Sequence, residues 1–242
     1  MRLQHKALVR LGGMLLAMGA LALGGCSITS LASKPTATAT PNAATILEDA
    51  VNVQKTQTKD VEFSMSIDLT ANGTTINGNL TGTETSSPKR LDLVVSNLTV
   101  ADVQFSGEII TDAATNSIYI KFASSNIPEI PEGQWIKTSG GSSINPLPID
   151  PTQFADLSQL TGATLKGSET LDGIAVWHLQ ATKTISGSTT QVDIYIRQDN
   201  NQLYEVVANA TGTSSGSVTL KITGVNSGAT INLPSASQVV TQ

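Results

Sequence analysis

The sequence is poor in cysteine, aromatic residues and charge. Cys26 is the only cysteine among 242 residues, so the chain can form neither an intramolecular disulfide nor a metal site built from several cysteines. Charged residues make up 14% of the chain, and the formal net charge is −5. Nucleic acid is bound by clustered Lys and Arg, so this composition argues against nucleic acid as a partner, and it equally disfavours attachment of a polybasic patch to an anionic lipid surface. Neither a cofactor nor a metal ion is predicted.

The N-terminal segment has the three parts of an export signal. Arg2, Lys6 and Arg10 form a basic end, an uncharged apolar run follows from Leu11 to Leu23, and small residues come next. The run is shorter than the ~20 apolar residues that cross a bilayer as a helix. Residues 1–25 are therefore predicted to be a signal peptide and to lie outside the fold.

Cys26 directly follows this signal. Leu23-Gly24-Gly25-Cys26 resembles the bacterial lipobox, and that resemblance implies lipidation of Cys26 after cleavage on its N-terminal side. A buried free cysteine that happens to follow a signal is the alternative. Two or three acyl chains anchor a protein stably, so we expect the protein on the extracytoplasmic face of a cell membrane. Residues 26–43, rich in Ser, Thr, Ala and Pro, are predicted to form a flexible tether.

Residues 44–242 are predicted to form one mainly β (α+β) domain. The first segment has apolar residues at helical spacing and predicts a helix, with Thr45 as its N-cap and Glu48 completing a capping box. From Val61 the apolar period changes to two, and about ten or eleven such segments between turns indicate an antiparallel meander. A second short helix is predicted in a Pro-rich interruption, with Asp150 as cap and Pro151 as first residue.

One face of the predicted strands is apolar and has to be covered. Either a second sheet covers it, as in a sandwich, or the sheet curls and leaves a cavity. Glycines inside the strand patterns, such as Gly82 and Gly107, favour the curled sheet because glycine often marks bends and bulges.

The candidate ligand-binding residues are apolar and lie mostly at alternate strand positions. They are Phe63, Met65, Ile67, Leu69, Leu93, Phe105, Ile109, Ile120, Phe122, Trp135, Trp177, Leu179, Ile194, Ile196 and Leu220. For each of them, packing in an ordinary core is the alternative. Trp135 lies at the edge of the Pro-rich interruption, where it is either a mouth residue that touches ligand or an anchor that holds the loop on the sheet.

The order of these segments is similar to that of a known family. The lipobox, the Thr/Pro-rich tether, the helix, the meander and the stretches "GQWIKTS", "LDGIAVWHLQAT" and "VDIYIRQDNNQLYEVV" resemble the LppX/LprAFG lipoproteins. The resemblance covers nearly the whole chain after Cys26, and the fold of that family is similar to that of the lipoprotein carrier LolA. It implies a strongly curved antiparallel half-barrel, closed by short helices over an apolar cavity for acyl chains. It also implies a lipid ligand and a membrane transporter as a partner.

Two functions remain open at this point. The first is a membrane-anchored lipoprotein that binds or carries a lipid without covalent chemistry. The second is a structural or protein-interaction lipoprotein with a filled core. An enzyme is not predicted, because His178 is the only histidine after the signal and strand alternation turns it away from Trp177 and Leu179. No nucleophile elbow between a strand and a helix accompanies it.

Overall fold

The structure, a computed structural model, describes residues 41–71, 73–125, 132–139, 151–185, 188–210 and 215–241. The predicted signal peptide, Cys26 and nearly all of the predicted tether lie outside these ranges. Within them, twelve strands form one sheet. The strands are β1 Asp60–Ala71, β2 Thr74–Ser86, β3 Lys89–Val100, β4 Val103–Asp112, β5 Ser117–Ser125, β6 Trp135–Ser139, β7 Thr161–Leu171, β8 Ile174–Ile185, β9 Ser188–Arg197, β10 Leu203–Asn209, β11 Ser215–Val225 and β12 Val239–Thr241.

The sheet is curved and does not close on itself. Its strand order is β12-β6-β5-β4-β3-β2-β1-β11-β10-β9-β8-β7, so β12 and β7 are its two edges. Neighbouring strands run antiparallel except β12 and β6, which pair in parallel. This confirms the predicted single, strongly curved antiparallel sheet. Strand β12 was missed because three residues are too few to show an alternating pattern.

Two helices accompany the sheet among the described residues. Helix α1 spans Ala43–Thr56 and α2 spans Pro151–Ala155. The predicted N-cap of α1 is wrong: the side chain of Asn42 caps the helix, and its Oδ1 accepts a hydrogen bond from the Thr45 backbone N at 2.9 Å. Asn is among the strongest caps and alanine is the best helix former, so Ala43 and Ala44 extend the helix to Asn42. Helix α2 begins at Pro151 as predicted, whereas Asp150 lies outside the described residues.

Short 3₁₀ turns follow α2 and precede β12, at Leu157–Gln159 and Ala236–Gln238. None of the helices in the described ranges is long and apolar enough to cross a membrane.

The inner face of the sheet carries the main core, which is the large cluster of buried apolar residues that also includes side chains of both helical segments. Alternating residues of β1 point into it, with Met65 2% and Ile67 3% exposed. Helix α1 contributes Ile46 and Ala50, and the α2 region contributes Phe154 and Leu157. At ~25 cal/mol per Å² of apolar surface removed from water, this burial is the main favourable contribution to folding.

A smaller outer cluster lies on the opposite face of β4–β6. It consists of Ile110, Tyr119, Trp135 and Ile231, with Leu233 and Val239 packed against it. Arg90 Nη1 donates to the Ile231 carbonyl oxygen at 2.8 Å. The segment after β11 therefore runs over this outer face before it adds β12 to the sheet edge.

Gly82 allows the inner face to pack closely. It lies opposite Phe63 of β1 and Leu93 of β3. A Cβ atom at this position would come within 2.4 Å of Phe63 Cζ and 2.7 Å of Leu93 Cδ2. Any larger residue at position 82 would therefore displace the Phe63 ring.

We expect Gly82→Ala to lower the free energy of unfolding by about 1–3 kcal/mol, because the added methyl group overpacks the core. Adding Phe63→Leu removes the ring that clashes, so the double variant should lose less than the sum of the two single losses. Urea unfolding of the four proteins measures this coupling. Thr81→Ala, at an exposed position of the same strand, is the control. Strictly additive losses would contradict the contact.

Candidate functional site

A pocket of about 350 Å³ opens between the two helices and one end of the sheet. Its apolar floor comes from the first residues of β1 and from β10 and β11, namely Val61, Phe63, Leu203, Ile222 and Val225. Ala50 and Val53 of α1 form one wall, and Pro151 and Ala155 of α2 form the other. Polar side chains surround these apolar surfaces: Gln54, Thr58, Lys59, Asp60, Glu84, Ser86, Lys89, Thr152, Asp156 and Gln202.

The predicted ligand-binding residues are mostly packed together in the main core. Ten are buried there: Phe63, Met65, Ile67, Leu93, Ile109, Ile120, Leu179, Ile194, Ile196 and Leu220. Leu69, Phe105, Phe122 and Trp177 are partly buried and pack against it. Phe63 alone among the predicted set lines the pocket. The pattern thus identified the inner face of the sheet, whereas the pocket lies at one end of that face.

Trp135 lies on the other face of the sheet. It pairs with Lys121 of β5, and the next residue, Ile136, pairs with Ile120. Because Ile120 points into the main core, Trp135 points away from it, into the outer cluster. Trp135 is 7% exposed, and the Lys121 ammonium lies 4.6 Å from its ring centroid. Trp135 therefore packs against the segment after β11 and does not line the pocket, whereas most of the Pro-rich interruption that it was predicted to anchor lies outside the described residues.

Lys183, which was not predicted from the sequence, supports the α2 wall of the pocket from the sheet. It is 1% exposed and follows Leu179 and Ala181 at inward positions of β8. Its Nζ donates to the Phe154 carbonyl oxygen at 3.3 Å and to the Asp156 carbonyl oxygen. A lysine in phase with the inward residues of a strand is the signal that could have revealed it.

Gln54 of α1 binds the same segment, the end of α2 and the turn after it, from the side of the first helix. Its Nε2 donates to the Ala155 carbonyl oxygen at 2.7 Å, and its Oε1 accepts from the Leu157 backbone N at 3.3 Å. Lys183 and Gln54 together bind the end of α2 and the turn after it. The α2 wall of the pocket is thus fixed by polar contacts to both the sheet and α1.

Burial determines the ionisation of Lys183. Removal from water lowers the pKa of its ammonium to about 8, although the nearby Asp156 carboxylate acts in the opposite direction. Burial would raise the pKa of Asp156, but hydrogen bonds from Ser158 and the Lys183 charge outweigh it and keep this pKa below its ordinary value. The segment that forms the α2 wall therefore binds a buried ammonium group that loses its proton more readily than a lysine in water.

Asp60 forms the boundary between the pocket and the last segment of the chain. Its Oδ1 accepts from Ser227 N at 2.8 Å and from Ser227 Oγ at 3.0 Å, and its Oδ2 accepts from Gly228 N at 3.3 Å. Burial raises the pKa of Asp60, but these donors outweigh it and lower the pKa overall. The Asp60 carboxylate therefore binds the segment that follows β11, at Ser227 and Gly228.

His178 lies on the outer face of β8, away from the pocket. Its Nδ1 is 2.6 Å from Glu169 Oε1, its Nε2 is 3.0 Å from Asp193 Oδ1, and its ring stacks on Tyr195. A Gly-x-Ser-x-Gly spacing does occur at residues 212–216, but strand β11 begins within it at Ser215, where a nucleophile elbow would lead into a helix. In the described part of the chain, no group of three or more His, Cys, Asp and Glu side chains is placed to hold a metal ion.

The sequence matches no family model and no curated protein sequence. Solved structures do match. The lipoprotein LprF from Mycobacterium bovis is 15% identical with a TM-score of 0.57, over 80% of this chain and 97% of its own. The lipoprotein LppX from Mycobacterium tuberculosis is 17% identical with a TM-score of 0.51, over 78% of this chain and 99% of its own. The chain has the LppX/LprF-type fold.

A LolA superfamily protein from Nitrosomonas europaea also matches, at 11% identity and a TM-score of 0.30, over 81% of this chain and 96% of its own. The LppX/LprF-type fold confirms the resemblance inferred from the order of sequence segments. At these identities the likeness concerns the fold alone, so the chemistry of the pocket has to be read from the residues of this chain.

The lowered pKa of Lys183 predicts that the stability of this protein depends on pH in the alkaline range. Between about pH 8 and pH 10 the folded protein loses the Lys183 proton while the unfolded chain keeps it, so the stability of the native protein rises with pH. Relative to Lys183→Met, the native protein should gain about 1–3 kcal/mol in free energy of unfolding from pH 7.5 to pH 10.

Urea unfolding at several pH values measures this gain. Lys166→Met removes an exposed lysine of β7 and should leave the pH dependence of the native protein unchanged. Parallel curves for the native protein and Lys183→Met would show that the buried lysine does not titrate in this range.

Proposed function

We propose that this protein is an extracytoplasmic lipoprotein that binds the acyl chain of a lipid in the pocket between α1, α2 and the sheet, without covalent chemistry. The observation that carries the proposal is the apolar floor of the pocket, formed by Phe63, Leu203 and Ile222. A pocket with an apolar floor and a polar mouth fits a ligand that is apolar at one end and polar at the other. The lipoprotein neighbours LprF and LppX support this assignment at the level of the fold.

The size of the pocket favours one chain. Its volume of about 350 Å³ is at the small end of the range for ligand pockets. If a methylene group occupies about as much space as a water molecule, ~30 Å³, the pocket holds about a dozen carbon atoms. Each buried methylene contributes ~0.8 kcal/mol, so a chain of this length is sufficient for stable binding.

The predicted lipid anchor and tether would place the folded domain close to a membrane. Lipidation of Cys26 would hold the domain at a membrane surface, and α1 begins only at Ala43. The intervening stretch, rich in Thr, Ala and Pro, can extend by up to ~3.3 Å per residue, which gives a reach of about 55 Å. That reach would let the pocket approach the membrane that holds the lipid, or a membrane transporter that delivers it.

A second function is supported by the filled inner face. Most of the residues that were candidates for a cavity are packed in the main core, as expected of a lipoprotein that acts through its surface. Under this alternative the pocket would be a crevice between helices with no ligand. The two functions differ in what enters the pocket, so a variant that fills it separates them.

We expect the protein to co-purify with lipid, and Ala155→Phe to abolish this because the ring fills the pocket from the α2 wall. The test uses residues 27–242, which include all described residues but lack the anchor, purified without detergent and weighed intact by native mass spectrometry. Ala175→Phe, at an exposed position of β8, is the matched control and should retain the lipid.

The lipid-binding function requires adduct masses of a lipid on the native protein and on Ala175→Phe, with none on Ala155→Phe. Adducts on all three proteins would place the lipid outside the pocket. A native protein that carries no adduct and binds no added palmitate would favour the interaction function.

A further inference from the structure

We infer that Lys59 and Lys89 select the ligand by its headgroup, so that the pocket takes a single-chain amphiphile with an anionic head. This inference rests on the proposed function and adds to it the chemistry of the polar end of the ligand. A carboxylate and a phosphate share the required chemistry, since both accept hydrogen bonds and carry negative charge.

The backbone brings the two lysines to one side of the pocket mouth. Ser86, at the end of β2, donates from its N to the Lys59 carbonyl oxygen at 2.8 Å and from its Oγ to the same oxygen at 2.9 Å. Ser86 also pairs with Lys89, the first residue of β3. Lys59 and Lys89 therefore flank Ser86, and all three residues line the pocket.

Both lysine side chains are exposed, and each can present a positive charge to a ligand. Among the described residues, neither forms an ion pair with a carboxylate. Each ammonium has three hydrogen-bond donors on a flexible stem, which suits a headgroup that remains in water at the mouth. Lys59 is also two residues before Val61, which belongs to the apolar floor. A ligand can therefore contact the floor and the lysine at the same time.

The carboxylates at the same mouth are engaged within the protein. Asp60 accepts hydrogen bonds from Ser227 and Gly228. Asp156 accepts from Ser158 N at 2.9 Å and Ser158 Oγ at 2.6 Å, and it lies close to the Lys183 ammonium. Glu84 also has an interaction partner. Because these three carboxylates are engaged within the protein, the charged side chains of the pocket lining that remain free to bind a headgroup are the two lysines.

The test measures the affinity of residues 27–242 for three probes with the same chain length: palmitate, palmitoyl lysophosphatidate and hexadecanol. Lys59→Gln/Lys89→Gln is compared with Lys55→Gln/Lys166→Gln, which removes the same charge at two exposed lysines that do not line the pocket. Circular dichroism and thermal unfolding confirm that each variant is folded. Titrations are made at low and at high salt, because exposed charge pairs are screened by salt.

We expect the pocket variant to bind at least one anionic probe about 3- to 10-fold more weakly, as two exposed ion pairs predict. Its affinity for hexadecanol should be unchanged, and the control variant should bind all probes like the native protein. A loss confined to palmitate or to lysophosphatidate supports the inference and identifies that headgroup. High salt should reduce the difference between the native protein and the pocket variant.

Equal losses for hexadecanol and the anionic probes, or equal losses in both double variants, would overturn the inference. If the native protein binds hexadecanol, Ala155→Phe blocks that binding and the lysine substitutions have no effect, the headgroup inference fails and the lipid-binding function stands. If the native protein binds none of the three probes, both fail.

Discussion

The structure depends on the need to cover one apolar face of a long curved sheet with very little helix. Strands β1–β5 and β7–β11 present alternating apolar residues to the inner face, and curvature turns that face toward itself. Two short helical segments then complete the core with a few large side chains, among them Ile46, Phe154 and Leu157. At the end of the sheet where β1 begins, the described residues leave an opening between the two helices and the inner face, and this opening is the pocket.

The α2 wall of that pocket is too short to be stable as an isolated helix, since helices of one or two turns are marginal in water. Its position follows from contacts to its neighbours: Phe154 is buried in the main core, and Lys183 and Gln54 each form one hydrogen bond to α2 and one to the turn that follows it. A buried lysine is a costly way to hold a helix, because its ammonium gives up hydration. That cost is acceptable where an apolar residue would leave the same carbonyl oxygens without a donor.

The sequence predicted the parts of the fold that depend on local pattern. Alternation of apolar residues located eleven of the twelve strands. One apolar face with few helices left a sandwich or a curled sheet open, and the glycines within the strands and the resemblance to the LppX/LprAFG lipoproteins favoured the curled sheet. The patterns did not distinguish a cavity from a filled core. An inward apolar residue such as Met65 or Ile194 follows the same alternation whether a lipid or another side chain, such as Phe154, covers it. Trp135 was misleading for a similar reason: its side depends on the β5–β6 register, which pairs it with Lys121. The pocket itself lies where α1, α2 and five strands (β1, β2, β3, β10 and β11) meet, and no pattern within a single segment predicts how these elements are arranged.

The central claim is that an acyl chain occupies the end of the inner face between α1 and α2. Photo-crosslinking with a palmitate analogue that carries a diazirine near the end of its chain, followed by peptide mapping, tests it most directly. The account predicts adducts on floor residues such as Phe63, Leu203 and Ile222, and their loss when unlabelled palmitate competes. Adducts concentrated on the outer cluster around Tyr119 and Ile231, or adducts that unlabelled palmitate does not displace, would contradict it.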